Sequence, residues 1–301
     1  MGIVYQKQST IHTKKLIILA QMIADSILIN YYIIIMYISK RNAHFQLISA
    51  VARNRRKRAQ LKQFLVEGVV PINNLVKGRF KIISFITDDS RKLSSWAQEI
   101  IATKTYEEHI SLSTELFSEL THKDEAPEII ALVERKDFTI SELIKNDLKK
   151  KIWVIMDRPI SPGNLGTLMR SGNAFGISGL ITYGHGADMY SHKAISASRG
   201  SLFHTPHMIG VGIPEINKFI TTVIKEFGSV QILGTDEDAP RQLNEVDFDT
   251  PTIIMLGNET KGLSEKLTEL CNDMIAIPMQ GDVSSLNVAC AGSIILHAAA
   301  N

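Results

Sequence analysis

The chain has 301 residues, 45% hydrophobic and 21% charged, with 33 basic against 31 acidic side chains. These values exclude global disorder, collagen and a simple coiled coil, and the near-balance of charge excludes a uniformly basic nucleic-acid coat while leaving room for a local basic patch. Two cysteines, Cys271 and Cys290, exclude a disulfide framework and suit a reducing compartment, the cytoplasm.

Leu16 to Ile38 is an apolar run of membrane-spanning length, flanked by Lys14, Lys15, Lys40 and Arg41. Gln21, Asp25, Ser26 and Asn30 interrupt it, and a central aspartate costs about 2.5–3.5 kcal/mol on insertion. Three readings are open: a membrane anchor, a helix packed on the body, or a segment outside the functional protein. The last is preferred. Residues 1–38 are set apart on that basis, with residues 1–35 expected to be dispensable, Met36 as a candidate start and no stable membrane association.

Lys40 to Lys62 holds eight basic residues and no acidic one, densest at Arg53-Asn54-Arg55-Arg56-Lys57-Arg58. This is either a solvated helix face or a phosphate-binding patch made of Arg53, Arg55, Arg56, Lys57 and Arg58. Strand signals at Ile82–Thr87 and Glu128–Arg135, with helical segments between them, give a small α/β domain over residues 39–137. Residues 138–150 are polar and read as a helical linker.

From residue 151 to 301 short apolar runs alternate with amphipathic helices. The runs are Trp153–Met156, Gly179–Tyr183, Val230–Leu233, Thr252–Leu256 and Met274–Ile277; the clearest helix is Glu215–Phe227. This alternation predicts a parallel sheet covered on both faces, whose ligands bind beyond the strands' carboxyl ends.

Three loops there carry chemistry. The first, after Met156, runs through two prolines to Asn164, a candidate N-cap, and a helix whose apolar face is Leu165, Leu168, Met169, Gly172 and Phe175. Arg170 lies about 140° around that helix from Leu165 and points away from the apolar face. The second, Gly257-Asn-Glu259-Thr-Lys-Gly262-Leu263, has glycines for tight turns and a carboxylate able to orient a polar partner. The third, after Ile277, runs Pro278-Met279-Gln-Gly281 to Ser284-Ser285-Leu286-Asn287 and a small-residue helix that Ser284 or Ser285 could cap. Asn287 in such an apolar helix needs a partner. Phosphate-loop, dinucleotide, nucleophile-elbow and zinc-protease patterns are missing, Gly184-His-Gly186 and Gly210-Val-Gly212 are incomplete glycine motifs, and no metal site is expected from His204 and His207.

Together the three loops resemble the SpoU (TrmH) family of SPOUT methyltransferases. Asn164, Gly166 and Arg170 match N-x-G-x-x-x-R; Gly257, Glu259, Gly262 and Leu263 match G-x-E-x-x-G-L; Ile277-Pro-Met279 and Ser285-Leu-Asn287 match I-P-M and S-L-N. Ala197–Phe203 also resembles a family segment. The resemblance implies an α/β fold with a SPOUT-type parallel sheet and C-terminal trefoil knot, preceded by a small RNA-binding α/β domain. It implies an S-adenosyl-L-methionine-dependent enzyme that methylates a ribose 2′-hydroxyl of RNA, ribosomal RNA first, and works as a homodimer. It places Gly257, Ile277, Met279 and Leu286 at the cofactor and Arg170, Asn164, Glu259, Ser285 and Asn287 in the catalytic group. Arginine is a poor base, so Arg170 is expected to hold the target phosphate and stabilise alkoxide charge. The rival readings are a non-catalytic RNA-binding homologue, a transfer-RNA methyltransferase and a membrane-tethered protein.

Overall fold

The computed structural model describes residues 34–122, 125–145 and 147–301. The first domain runs β1 (Ile34–Ile38), α1 (Ala43–Arg53), α2 (Arg55–Leu61), β2 (Gln63–Glu67), α3 (Val69–Leu75), β3 (Ile82–Asp88), α4 (Ser95–Thr103), β4 (Glu108–Leu112), α5 (Thr114–Leu120) and β5 (Ile130–Glu134). Its strands form one sheet in the order β1-β4-β3-β5-β2, with β5 antiparallel to both of its neighbours.

β1 changes the division drawn from sequence. Ile34–Ile38 pairs in parallel with β4, from Ile34 opposite Glu108 to Ile38 opposite Leu112, and Ile38 is buried. Residues 34–38 therefore belong to the first domain, whose boundary is not at 39, and a start at Met36 would cut this strand. The physical reason is length: a β-branched stretch of strand size is hidden inside a longer apolar run. The remainder of the apolar run lies outside the described residues. Among the described residues no helix is long and apolar enough to cross a membrane.

Residues 138–150 carry α6 (Ile140–Ile144), which opens with a capping box between Thr139 and Glu142. It is packed, not pendant: Leu143 and Ile144 are buried, and the Trp153 indole donates to the Leu143 carbonyl at 2.9 Å.

The second domain runs β6 (Ile152–Asp157), α7 (Pro162–Phe175), β7 (Gly179–Tyr183), α8 (His192–Ser198), β8 (His207–Val211), α9 (Ile213–Phe227), β9 (Gln231–Thr235), β10 (Arg241–Gln242), β11 (Thr252–Leu256), α10 (Glu265–Thr268), β12 (Asp273–Ala276) and α11 (Val288–Ala300). Its seven strands lie in the order β10-β12-β9-β11-β6-β7-β8, and every pairing is parallel. The central strands β6 and β11 are buried along their whole length, as strands covered on both faces must be.

The two domains share one apolar core. Phe64 lies 4.6 Å from Tyr190 and stacks on Phe203, while Phe80 meets Phe203 edge-on at 5.2 Å, ring centroid to ring centroid. The Ala197–Phe203 segment forms the second domain's side of this contact. At Gly200, φ is 83° and an added Cβ would strike Asn74 and Pro71 of α3. The segment thus joins the domains, and through Ala197 and Ser198 it also packs on Gly166 of α7.

Candidate active site

β6 and β11 are neighbours in mid-sheet, so their carboxyl-end loops meet. After β6 the chain turns at Arg158 (φ 41°) and Pro159 into α7. Asn164 is not the N-cap that its residue type suggests. Ser161 takes that position, its side chain accepting from the Asn164 amide at 3.2 Å, with Pro162 in the first turn. Asn164 sits one turn in, leaving its side chain free for other partners.

Those partners come from the other two loops. The Glu259 carboxylate accepts the Ile160 amide at 2.9 Å, the Ser161 amide at 3.1 Å and the Asn164 Nδ2 at 3.2 Å. The Asn164 Oδ1 accepts Asn287 Nδ2 at 3.0 Å, and the Asn287 Oδ1 accepts the amides of Ala289 and Cys290. The direction of this chain follows from Glu259: an ionised carboxylate only accepts, so Asn164 must present its NH₂ to it and its oxygen to Asn287. Asn287 is thereby the N-cap of α11 itself, in place of Ser284 or Ser285, and not a residue inside the helix.

Burial by itself would raise the Glu259 pKa. The amide hydrogen bonds from Ile160, Glu259 itself and Ser161, with the Asn164 side chain, outweigh it and hold the carboxyl below its ordinary value. Glu259 is therefore a fixed anion at neutral pH and unsuited to general-acid work.

Two further residues brace this arrangement, and sequence reasoning missed both. Asp157 is fully buried at the end of β6, where it accepts the Ser264 amide and binds the Arg158 guanidinium at 2.6 and 3.0 Å. Asn258 donates to the Arg158 carbonyl at 2.7 Å and accepts the Thr260 and Lys261 amides. The signal available was a polar residue at the end of each apolar strand.

The other expected site residues stand apart from this network. Arg170 is exposed on the outer face of α7 with no hydrogen bond or ion pair among the described residues. Ser285 lies in the exposed stretch from Pro278 to Asn287, beside Met279, Val283 and Leu286, which are 36%, 63% and 37% exposed. Among the described residues, no backbone group from Pro278 to Leu286 bonds to another backbone group. Gly257 begins the second loop where a Cβ would stand 2.7 Å from the backbone of Gly262 and Leu263. Ile277 is half-buried at the end of β12.

This donor set suits S-adenosylmethionine. Unpaired amides and carbonyls between Pro278 and Leu286 can meet the polar edges of an adenosyl group, and Met279 and Leu286 offer it apolar contact.

In the basic run, each arginine has a different local role. Arg53 donates to the Glu119 carbonyl, and Arg55 donates to the Gly186 carbonyl in the second domain. Arg58 is only 12% exposed; it binds Asp188 at 2.8 Å and the carbonyls of Val51 and Ala52. Arg58 is thus an interdomain tie. Arg56 is exposed, and Lys57 reaches only Gln60.

Two families match the chain: the SpoU rRNA Methylase family over residues 151–297 and the SpoU L30e-like domain over residues 42–131. The chain is 38% identical over 264 residues to the 23S rRNA (uridine(2479)-2′-O)-methyltransferase of Streptomyces viridochromogenes, covering 87% of this chain and 91% of that one. It is 23% identical over 245 residues to the 23S rRNA (guanosine(2553)-2′-O)-methyltransferase RlmP of Bacillus subtilis, covering 81% of this chain and 90% of that one. Its fold matches the crystal structure of the SpoU methyltransferase AviRb from Streptomyces viridochromogenes in complex with AdoMet, with a TM-score of 0.81 and 37% identity over 86% of this chain and 97% of that one. With the three loops joined through Glu259, Asn164 and Asn287, and the likeness running the length of both domains, the chain belongs to the SpoU rRNA methylase family.

Proposed function

We propose that this protein transfers a methyl group from S-adenosyl-L-methionine to the ribose 2′-hydroxyl of a uridine in 23S ribosomal RNA. The observation that carries the reading is the hydrogen-bonded chain Glu259–Asn164–Asn287, which ties together three loops distant in sequence. The choice of uridine rests on the relative at 38% identity, which spans both domains.

S-adenosylmethionine, when bound, supplies an activated methyl on sulfonium. The residues of this chain do the rest. Gly257, Ile277, Met279 and Leu286 border its place, largely through backbone groups. Asn164, held by Glu259 and Asn287, orients the ribose, and Ser285 is within the same loop as the cofactor contacts. Exposed Arg170 binds the target phosphate and stabilises the charge that develops on the attacking oxygen, because its planar guanidinium presents several N–H donors to anionic oxygens. Alignment at ~3–3.5 Å supplies much of the acceleration.

Two structural readings accompany this. The apolar side chains Ile160 and Val283 in the motif loops and Ile294 on α11 are 61%, 63% and 42% exposed, which supports a homodimer that covers them. The family resemblance implies a C-terminal trefoil knot; α11 packs on α7, where Ser171 and Ser293 meet at 2.7 Å. The unpaired thiols Cys271 and Cys290 suit the cytoplasm. Exposed Arg53, Arg55 and Arg56, with half-buried Lys57, give the first domain a basic RNA-facing edge.

The test is mapping of 2′-O-methylation across 23S rRNA from cells with and without the gene, with methyl transfer to unmodified transcript by purified protein. One uridine should lose its methyl group in the deletion strain. An unchanged map together with no transfer in vitro would overturn the reading in favour of a non-catalytic RNA binder; transfer to transfer RNA alone would redirect it.

A further inference from the structure

Between the domains, at the carboxyl ends of β7 and β8, lies a cleft of about 630 Å³ that none of the three motif loops fills. Arg55 and Arg135 from the first domain and Arg158 and Lys266 from the second line it. Its lining also includes Tyr183, Ile209, Val211 and Pro214, in or beside the two incomplete glycine motifs, Gly184-His-Gly186 and Gly210-Val-Gly212. Gly184 and Gly210 both have φ of 66°: Gly184 turns the chain just after β7, and Gly210 sits inside β8 where its register with β7 shifts. Their amides are spent internally, Gly184 on the Val211 carbonyl and Gly210 on the Thr182 hydroxyl. These two amides are therefore not available to an anion in the cleft, and the side-chain cations are.

The charges there are unequally compensated. Arg58 is matched by Asp188, Arg135 faces Asp137 at 3.0 Å, and Arg158 is matched by Asp157. Arg55 donates only to a neutral carbonyl, and Lys266 is exposed with no hydrogen bond or ion pair among the described residues. The cleft lining holds Arg55, Arg58, Arg135, Arg158 and Lys266 against one carboxylate, Asp188. A left-handed arginine backbone is strained, yet Arg158 keeps that conformation with its side chain on the cleft wall.

The cleft and the catalytic loop are two sides of one piece of chain. The amides of Ile160 and Ser161 hold Glu259 on one side. On the other, the Pro159 carbonyl accepts the Ala187 amide, and Gly186 packs so closely on Pro159 that a Cβ would stand 2.8 Å from it. We propose that this cleft holds an unpaired segment of the substrate RNA next to the methylated nucleotide, with Arg55 and Lys266 on its phosphates and the apolar lining under a base. Cations along a groove with an apolar or aromatic base platform are how single strands are held without sequence readout. A cleft with walls from two domains also favours a single strand over a duplex. The inference rests on the RNA-methyltransferase reading and adds the route of the strand.

The experiment uses the full chain with two probes: a short fluorescent polyuridine oligonucleotide and unmodified 23S rRNA transcript. Lys266→Ser and Arg55→Ser should each weaken oligonucleotide binding about fourfold at 0.15 M salt and flatten the log–log salt slope by about 0.7, the value for one lost phosphate contact on a single strand. Each should raise KM for the transcript, and Lys266→Arg should restore it. Lys92→Ser, an exposed lysine outside the cleft, serves as the charge control. Salt slopes and KM values in Lys266→Ser and Arg55→Ser equal to those of Lys92→Ser would overturn the proposal. So would competition by inorganic phosphate or uridine monophosphate as strong as that by the oligonucleotide, which would mark a small-anion site. A wild-type protein that binds the oligonucleotide with the full salt slope yet methylates no RNA would sink the enzyme reading and leave the cleft standing.

Discussion

The loops after β6 and β11 and the loop after β12 border one site, yet they are built in opposite ways. The first two are fastened: Asp157, Asn258 and Glu259 satisfy backbone groups across the gap between them, and the Asn164 side chain donates to Glu259. The third runs exposed from Pro278 to Leu286 and, among the described residues, is anchored where Asn287 caps α11 and meets Asn164. The difference teaches where each task belongs. Groups that must meet developing charge gain from being fixed beforehand, since they then cost no reorganisation during reaction. A loop that receives a cofactor through its backbone needs amides and carbonyls that are not already spent.

The largest expected effect tests the functional end of the fastened side. Arg170 has no hydrogen bond or ion pair within the described chain, so its charge is available to substrate. Arg170→Ala should lower methyl transfer by about 10²–10³. The same variant should leave the unfolding midpoint and the affinity for S-adenosylmethionine, measured by calorimetry, where they are in the wild type. A loss of activity that tracks a loss of stability would make Arg170 a structural residue.

The next effect sharpens the contrast directly with two glycines. At Gly166 an added Cβ would run into the Ala194 carbonyl oxygen and stand 2.8 Å from the Ala197 Cβ and 3.0 Å from the Ser198 amide. These are backbone or Cβ atoms and cannot swing away, so Gly166→Ala should cost about 3 kcal/mol by forcing α7 off α8. At Gly281 nothing lies within 4 Å of such a Cβ, and φ is not in the left-handed region. Gly281→Ala should leave stability within about 0.5 kcal/mol of wild type. Urea unfolding of the pair measures both; equal costs would erase the distinction between a packed and an open half.

Much of this could be read from the chain, and the failures have physical causes. The strands of the second domain's buried sheet were legible because Trp153–Met156 and Thr252–Leu256 are apolar on both faces, and Asn164, Glu259 and Asn287 were legible from their motifs. β8 was not: His207-Met-Ile-Gly-Val is broken by Gly210 and only His207 in it is buried. β1 was submerged in a longer apolar run. The caps were misplaced because Ser161 and Asn164, like Ser285 and Asn287, are all chemically able to cap, and only the backbone path decides between them. Arg58 looked like one more cation in a basic run. Its partner, Asp188, lies 130 residues away, a pairing that only the domain contact creates.

The smallest effect concerns Glu259, whose carboxylate ties the fastened loops. Its two oxygens accept different amides, Ile160 on Oε2 and Ser161 on Oε1. Glutamine keeps one oxygen and turns an NH₂ toward the other amide, so Glu259→Gln must leave one donor facing a donor. The site is largely solvent-exposed, so screening limits the cost to about 1 kcal/mol at neutral pH. Because the folded carboxyl is held below its ordinary value of 4.5, the ionised form is what folding favours. Its contribution is complete above 4.5 and is lost as pH falls through the lowered folded value. The stability gap between wild type and Glu259→Gln should therefore be constant near neutrality and shrink on the acid side of 4.5, as read by urea unfolding of both proteins across that range. A gap that persisted unchanged into acid would mean that shape, and not charge, is what Glu259 contributes to the fastened half of the site.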